Sequence, residues 1–330
     1  MLPSDLPREI IVKAECETNP DWGKPPEKRS VLEILECGIV NVDKPANPTS
    51  HEVAVHVKKI FGVEKSGHGG TLDPAVTGCL PVSLGSATKV VSALLPAGKE
   101  YICIMKLHEA HNEERIHQIL QKFTGAIYQV PPVRSSVKRQ LRKRTIYYLD
   151  VIEILDRLVL FRVGCQAGTY IRKLCHDAGL VIGKGGNMKE LRRTRSGPFK
   201  EEDSHTLQEC EDAMHYYKEE GKESMIRQVV QPVERAVDHL GKVYLRDSAV
   251  DAVCHGGSVT APGISKLTSG IKRNDLVAIM TLKNELIGLG RAFETTQKMV
   301  ELNRGIMIKL NAVIMKRKTY PSLWNKDLMV

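Results

Sequence analysis

The stretch from Gly67 to Lys89, GHGGTLDPAVTGCLPVSLGSATK, contains a single acidic residue, Asp73, between glycines on one side and Pro74 on the other. Gly67, Gly69 and Gly70 permit sharp turns and close backbone approach. Pro74 biases the residue before it towards extended geometry, so Asp73 is expected on a stiff loop rather than inside a helix. A carboxylate held this way can serve as a nucleophile, a general base or a metal ligand. It can equally be an aspartate that closes a turn through its own backbone. The spacing leaves both readings open until partners are found for it.

Several elements must position such a loop. Ile39–Val42 reads as a short strand. Ser50 is a candidate cap for a helix with Val53, Val57 and Ile60 on one side. Beyond the loop, SATKVVSALL reads as a helix capped by Ser86, with Val90, Val91, Leu94 and Leu95 on one face. KEYICIMKL alternates as a strand, Tyr101, Cys103, Met105 and Leu107 pointing one way. Residues 113–123 read as an amphipathic helix. LVLFRVGCQAGTYIRKLCHDAGLVIG gives a strand, a glycine turn and a helix capped by Thr169, with Arg172 near its start beside the buried face.

Two basic runs stand out. PPVRSSVKRQLRKR, from Pro131 to Arg144, has six Lys or Arg and no acid, and lies beside Tyr147 and Tyr148. A solvated loop explains such a run, but its density favours a loop that grips phosphates. KELRRTRSGPFKEED adds five more basic residues.

The 330 residues suffice for about two domains, and a net charge of +9 suits a nucleic-acid or acidic-surface partner. No apolar run is long enough to span a bilayer, and MLPSDLPREI lacks a signal-peptide pattern, so a cytoplasmic location is expected. The eight cysteines are scattered, with no CxxC pair and no histidine at zinc-ligand spacing. Neither a disulfide frame, nor a metal, nor a cofactor is expected. Residues 1–30 read as an arm that gains order by lying on something else. Residues 204–240 read as helical. From Lys242 the chain changes to short strands punctuated by glycine, the pattern of a small β-barrel-like module. The tail from residue 318 is basic and broken by proline.

Together, NVDKPANPTSHEV, the Asp73 stretch, CQAGTYIRKLCHDAGLVIG and MKELRRTRSGPF resemble motifs of the TruB family of pseudouridine synthases. Within it they are most similar to the dyskerin-type subunits of archaeal box H/ACA ribonucleoproteins. The resemblance runs from about Gly38 to the C-terminus, and the module at 242–317 is similar to a PUA RNA-binding domain. It implies an α+β fold: a catalytic domain at 31–241 with a mixed, mainly antiparallel sheet flanked by helices, plus the PUA domain, with arm 1–30 packing on the latter. One position departs from the family pattern, Asn47 standing where the first motif usually has Gly.

The resemblance implies roles as well. Asp73 matches the aspartate that attacks the target uridine so that the base detaches, rotates and rejoins through carbon. Tyr101 matches the tyrosine that stacks on the base, and Arg172 the arginine that pairs with the aspartate. His68 matches a histidine near the flipped nucleotide, Leu191 an apolar contact beneath the base, and Lys44 a first-motif lysine grouped with the substrate contacts as a support of the loop. Lys138, Arg139, Arg142 and Arg144 are the candidate RNA-gripping residues. The implied partners are an H/ACA guide RNA, ribosomal RNA and transfer RNA, a small Nop-type zinc protein, a Gar-type protein and a kink-turn-binding ribosomal-type protein. The chemistry agrees: isomerising uridine needs no redox change and no metal, a cationic neighbour favours an ionised carboxylate, and an aromatic platform suits a base taken out of its stack. Each residue also has a plainer reading, Tyr101 as core, Arg172 as a helix-end decoration and His68 as a loop histidine, and His51, His176 and His255 read as structural.

Three functions compete. The first is a guide-directed isomerase, with a stand-alone enzyme for the TΨC-arm uridine of transfer RNA (position 55) as its variant. The second is a non-catalytic RNA scaffold for ribosomal RNA processing. The third is a hydrolase using Asp73, such as a phosphatase or a glycosidase, the latter normally requiring a second carboxylate opposite the first.

Overall fold

The computed structural model describes residues 1–131 and 138–322, so part of the Pro131–Arg144 segment and the end of the basic tail lie outside the described residues. Two sheets organise the chain. The larger has ten strands, running through Val230–Pro232, Gly38–Lys44, Thr77–Leu84, Gly186–Ser196, Lys99–Leu107, Leu158–Cys165, Arg142–Leu155 and Gly125–Gln129, with two short strands attached to its path. Its pairings are antiparallel except where Thr77–Leu84 meets Gly186–Ser196 in parallel. Strand Lys99–Leu107 follows its alternation: Tyr101, Cys103, Met105 and Leu107 are buried against helix Ile171–Ile182 and its neighbours.

The smaller sheet has seven strands and belongs to the C-terminal module. The strand pattern there hid two helices, Asp247–Cys254 and Thr296–Glu301. In the first, Val250, Val253 and Cys254 are buried at helical spacing within a stretch short enough to pass for a strand. The N-terminal arm supplies an edge strand, Ile10–Val12, paired antiparallel with Ile264–Thr268. The same arm also reaches the larger unit, where Leu2 is fully buried and Asp5 pairs with Arg195. Between the units lies a common apolar cluster that joins Ile39, Val90, Leu94 and Phe199 to Tyr244, Met280, Leu286 and Leu289. Glu234 closes this joint, accepting two hydrogen bonds from Arg29 of the arm (2.9 and 2.8 Å) and one from the Leu286 amide (2.8 Å).

Three expected helix caps move. Thr49, not Ser50, caps helix Ser50–Phe61, in a capping box with Glu52, and the Thr-x-x-Glu spacing was the available signal. Ser50 is buried one position later, and its hydroxyl is bonded to the backbone of Leu72. After the Asp73 loop comes a 3₁₀ turn, Gly85–Val90, followed by the short helix Val91–Leu94. There Ser86 bonds to the Glu36 carbonyl instead of capping, and Leu95 is exposed. Helix Ile171–Ile182 starts after Tyr170, because Thr169 gives its hydroxyl proton to the Gln166 carbonyl. The segment 204–240 is helical at Leu207–Glu220 and Glu223–Val229, then turns into an edge strand and a 3₁₀ turn. Among the described residues no helix is long and apolar enough to cross a membrane.

Asn47 has φ +90°, in the region where residues with a side chain are strained, and its amide donates to the Pro74 carbonyl (3.0 Å). The backbone at this position requires what Gly gives freely and Asn tolerates. Replacing Asn47 by Gly is therefore expected to leave stability nearly unchanged, while Asn47→Ala costs about 1 kcal/mol. Urea unfolding of the two variants checks this, and equal midpoints would contradict it.

Candidate active site

Asp73 stands on a loop with little side-chain bulk, and its neighbours fix that loop. Leu72 and Val76 turn into the core on either side of it, 4% and 3% exposed, while the Asp73 side chain remains 55% exposed. Ser50 accepts from the Leu72 amide (2.8 Å), and the Val76 amide donates to the Asp73 carbonyl (3.0 Å). Lys44, at the end of its strand and fully buried, gives its ammonium protons to the carbonyls of Pro45 (2.7 Å), Pro74 (3.0 Å) and Val76 (2.9 Å). This corrects the placing of Lys44 among substrate contacts: an enclosed ammonium cannot touch RNA, and it holds the loop from beneath.

Arg172, the second residue of helix Ile171–Ile182, donates from Nη2 to the Asp73 carboxylate. Both side chains are about half exposed, so the pair adds at most about 1 kcal/mol to stability. Its importance is geometric. It places a guanidinium on a carboxylate that lies far away in sequence. The helix start is itself fixed by Gln129, a buried residue whose side-chain oxygen accepts from the Tyr170 amide (3.0 Å) while its nitrogen donates to the Tyr170 carbonyl (3.2 Å). Nothing in the sequence signalled Gln129.

Tyr101 is buried in the core, 8% exposed. Burial pushes its phenol up, and the charge of Arg193 opposes the shift. Arg193 stands opposite Tyr101 in the strand register and opposite Gly78 on the other side. Gly78 has φ +99°, and a Cβ there would meet the Arg193 carbonyl oxygen at 2.2 Å, so only glycine permits this approach. Arg193 donates to the carbonyls of Cys79 (2.7 Å) and Gly70 (3.2 Å), reaching under the Asp73 loop. His68 is half-buried with Nδ1 enclosed and unpartnered, and burial, then Arg193, pulls its pKa down. Leu191 pairs with Cys103 and packs on the core at the Tyr101 face.

The second basic run turns out to be largely structural. Arg192 holds Asp43 with two bonds (2.9 and 3.0 Å) and also Glu201, Arg193 is buried, and Arg195 pairs with Asp5. The first run differs. Lys138, Arg139 and Lys143 are exposed. Arg142 and Arg144 are half-buried, Arg142 bonding to the Lys138 carbonyl (3.1 Å) and Arg144 to Gly168 (3.2 Å) in the turn before the Arg172 helix. Arg134 lies outside the described residues.

Comparison with known proteins places the whole chain. The TruB family pseudouridylate synthase N-terminal domain matches residues 58–171, the tRNA pseudouridylate synthase B C-terminal domain 172–238 and a PUA domain 241–314. A DKCLD (NUC011) domain matches residues 2–54, so the likeness includes the N-terminal arm, which the motifs alone had left out. A probable tRNA pseudouridine synthase B of Pyrococcus furiosus is 55% identical over 99% of this chain and 96% of its own length. Its counterpart in Methanopyrus kandleri is 54% identical over 98% and 96%. A solved Cbf5-Nop10-Gar1 complex contains a chain with TM-score 0.95, 55% identity and coverage of 98% and 99%. An H/ACA ribonucleoprotein bound to a substrate RNA containing 2′-deoxyuridine contains one with TM-score 0.93, 53% identity and coverage of 98% and 100%.

The bonding of Lys44 generates a test that is independent of activity. Lys44→Met leaves three buried carbonyls without their donor and is expected to cost about 2–3 kcal/mol. Hydrogen exchange at the Val76 amide is expected to accelerate as the loop loosens. An unchanged rate there would show that something other than Lys44 holds the loop.

Proposed function

The chain belongs to the TruB family of pseudouridylate synthases, and from that premise we propose that it isomerises uridine to pseudouridine in RNA presented by a box H/ACA guide, with Asp73 as the attacking carboxylate. It is a pseudouridine synthase. The observation that carries the assignment of residues is the Asp73–Arg172 pair, which joins the Asp73 loop to the start of helix Ile171–Ile182. In this reading Asp73 attacks the uridine, Arg172 orients the carboxylate and offsets its charge, and Tyr101 offers a face to the flipped base. His68 and Leu191 border the nucleotide. Lys44 supports the loop without touching RNA.

Guide dependence follows from likeness to chains solved in H/ACA assemblies, one of them with Nop10 and Gar1. We place proteins of those kinds, a guide RNA and the substrate RNA among its partners, with the C-terminal module anchoring the guide, and the activity in the cytoplasm. Action on transfer RNA without a guide is the second reading, favoured by the names of the curated relatives.

Pseudouridine mapping separates these. Purified protein and Asp73→Asn are compared on a transfer RNA transcript and on a substrate paired to an H/ACA guide with partner proteins added. Guide-dependent modification that disappears in Asp73→Asn is expected. Modification of transfer RNA alone would make the stand-alone reading correct, and modification by Asp73→Asn would remove the aspartate from its role.

Among the basic side chains, Lys138, Arg139 and Lys143 present the most open charge. Replacing all three by Gln is expected to weaken RNA binding and to flatten the slope of log affinity against log salt by about 0.7 for each phosphate that is no longer neutralised. An unchanged slope would take this segment off the RNA path.

A further inference from the structure

Three cationic side chains lie beneath the Asp73 loop, and the carboxylates around them are engaged elsewhere. Lys44 is fully enclosed, Arg193 is 1% exposed and Lys99 4%. The neighbouring ion pairs use Arg172, Arg192 and Arg195 instead. Carbonyl oxygens solvate the three cations but do not neutralise them, and buried charge without a counter-charge is unfavourable. Lys44 has an evident task in holding the loop. The other two form a pair of their own.

Lys99 precedes Tyr101 by two residues and therefore shares its face of the strand. Its ammonium donates to the carbonyls of Leu94 (2.9 Å) and Ala97 (2.9 Å). Burial, and then Arg193, pull Lys99 down to about 7, so at neutral pH it is charged only in part and its share of the field grows as the pH falls. Arg193 stands opposite Tyr101 in the strand register, and Lys99 and Arg193 both approach Gly70 of the Asp73 loop. Positive charge thus gathers beside the buried Tyr101, under the loop that carries Asp73.

This inference rests on the isomerase reading and on attack by Asp73 at the sugar, a route in which charge at that place matters. The bond between C1′ and N1 breaks with its electron pair leaving on the uracil, while an Asp73 oxygen bonds to C1′. The freed base is an anion, its charge spread over N1, O2 and O4. After rotation, C5 bonds to C1′ as the carboxylate leaves, C5 gives up its proton and N1 takes one up, so the product is an isomer. We propose that Arg193 and Lys99 are positioning residues that stabilise the departing uracil anion, acting through their field beside Tyr101.

The test compares, in the full guide-containing assembly, the single-turnover rate of C1′–N1 cleavage on RNA with uridine or 5-fluorouridine at the target, the step both bases share, since the fluorinated base has no C5 proton to give up. Fluorine withdraws electrons and stabilises the uracil anion on its own. Lys99→Met, which replaces a buried ammonium by a side chain of similar length, is expected to slow uridine about 10-fold at saturating RNA without changing RNA affinity. It is expected to slow 5-fluorouridine markedly less. Arg193→Lys should retain more activity than Arg193→Met, and if either fails to fold Lys99→Met still decides. Equal losses on both bases, or no loss, overturn the proposal while leaving the isomerase reading intact. A wild-type assembly that converts neither RNA overturns that reading and this one with it.

Discussion

One ammonium group, buried and shared among three carbonyls, sets the position of the site. The Asp73 loop has few side chains with which to hold itself, because glycine and proline give it shape but little contact area. Lys44 bonds to Pro45 before the first-motif turn and to Pro74 and Val76 around Asp73, so two loops distant in sequence become one rigid piece. Leu72 and Val76 then anchor that piece in the core. Asp73 can remain open to solvent because everything next to it is fixed.

Against this support the Asp73–Arg172 pair contributes little stability and much direction. A half-exposed pair is screened by water, so it cannot define the loop, but it can choose the orientation of a carboxylate already in place. The helix start that presents Arg172 is fixed in turn by Gln129 on Tyr170 and by Arg144 on the preceding turn. The segment expected to grip RNA is thus mechanically joined to the helix that presents Arg172.

The arm and the C-terminal module belong to the same framework. Ile10–Val12 extends the module's sheet, Asp5 reaches Arg195 on the strand that carries Arg193, and Glu234 ties arm, large unit and module in one hydrogen-bonded joint. An apolar interface shared by Leu94 and Leu286 resists sliding between the units. The module is therefore held in a fixed relation to the large unit.

By itself the sequence determined what is local. The alternation of Lys99–Leu107, the helix that brings Arg172, the stiffness of the Asp73 loop and the family motifs could all be read because each depends on residues a few positions apart. Caps were harder to place, since Thr49, Ser50, Ser86 and Thr169 all carry hydroxyls and only their tertiary partners decide which one caps. The tertiary structure alone decided what depends on pairing across strands. It buried Lys44, paired Arg192 and Arg195 of LRRTR with Asp43, Glu201 and Asp5, and set Arg193 beside Tyr101 on the neighbouring strand. A basic run reads the same whether its charges face RNA or carboxylates. The difference lies in which strand arrives opposite, and that is fixed by the register of a sheet assembled from distant parts of the chain.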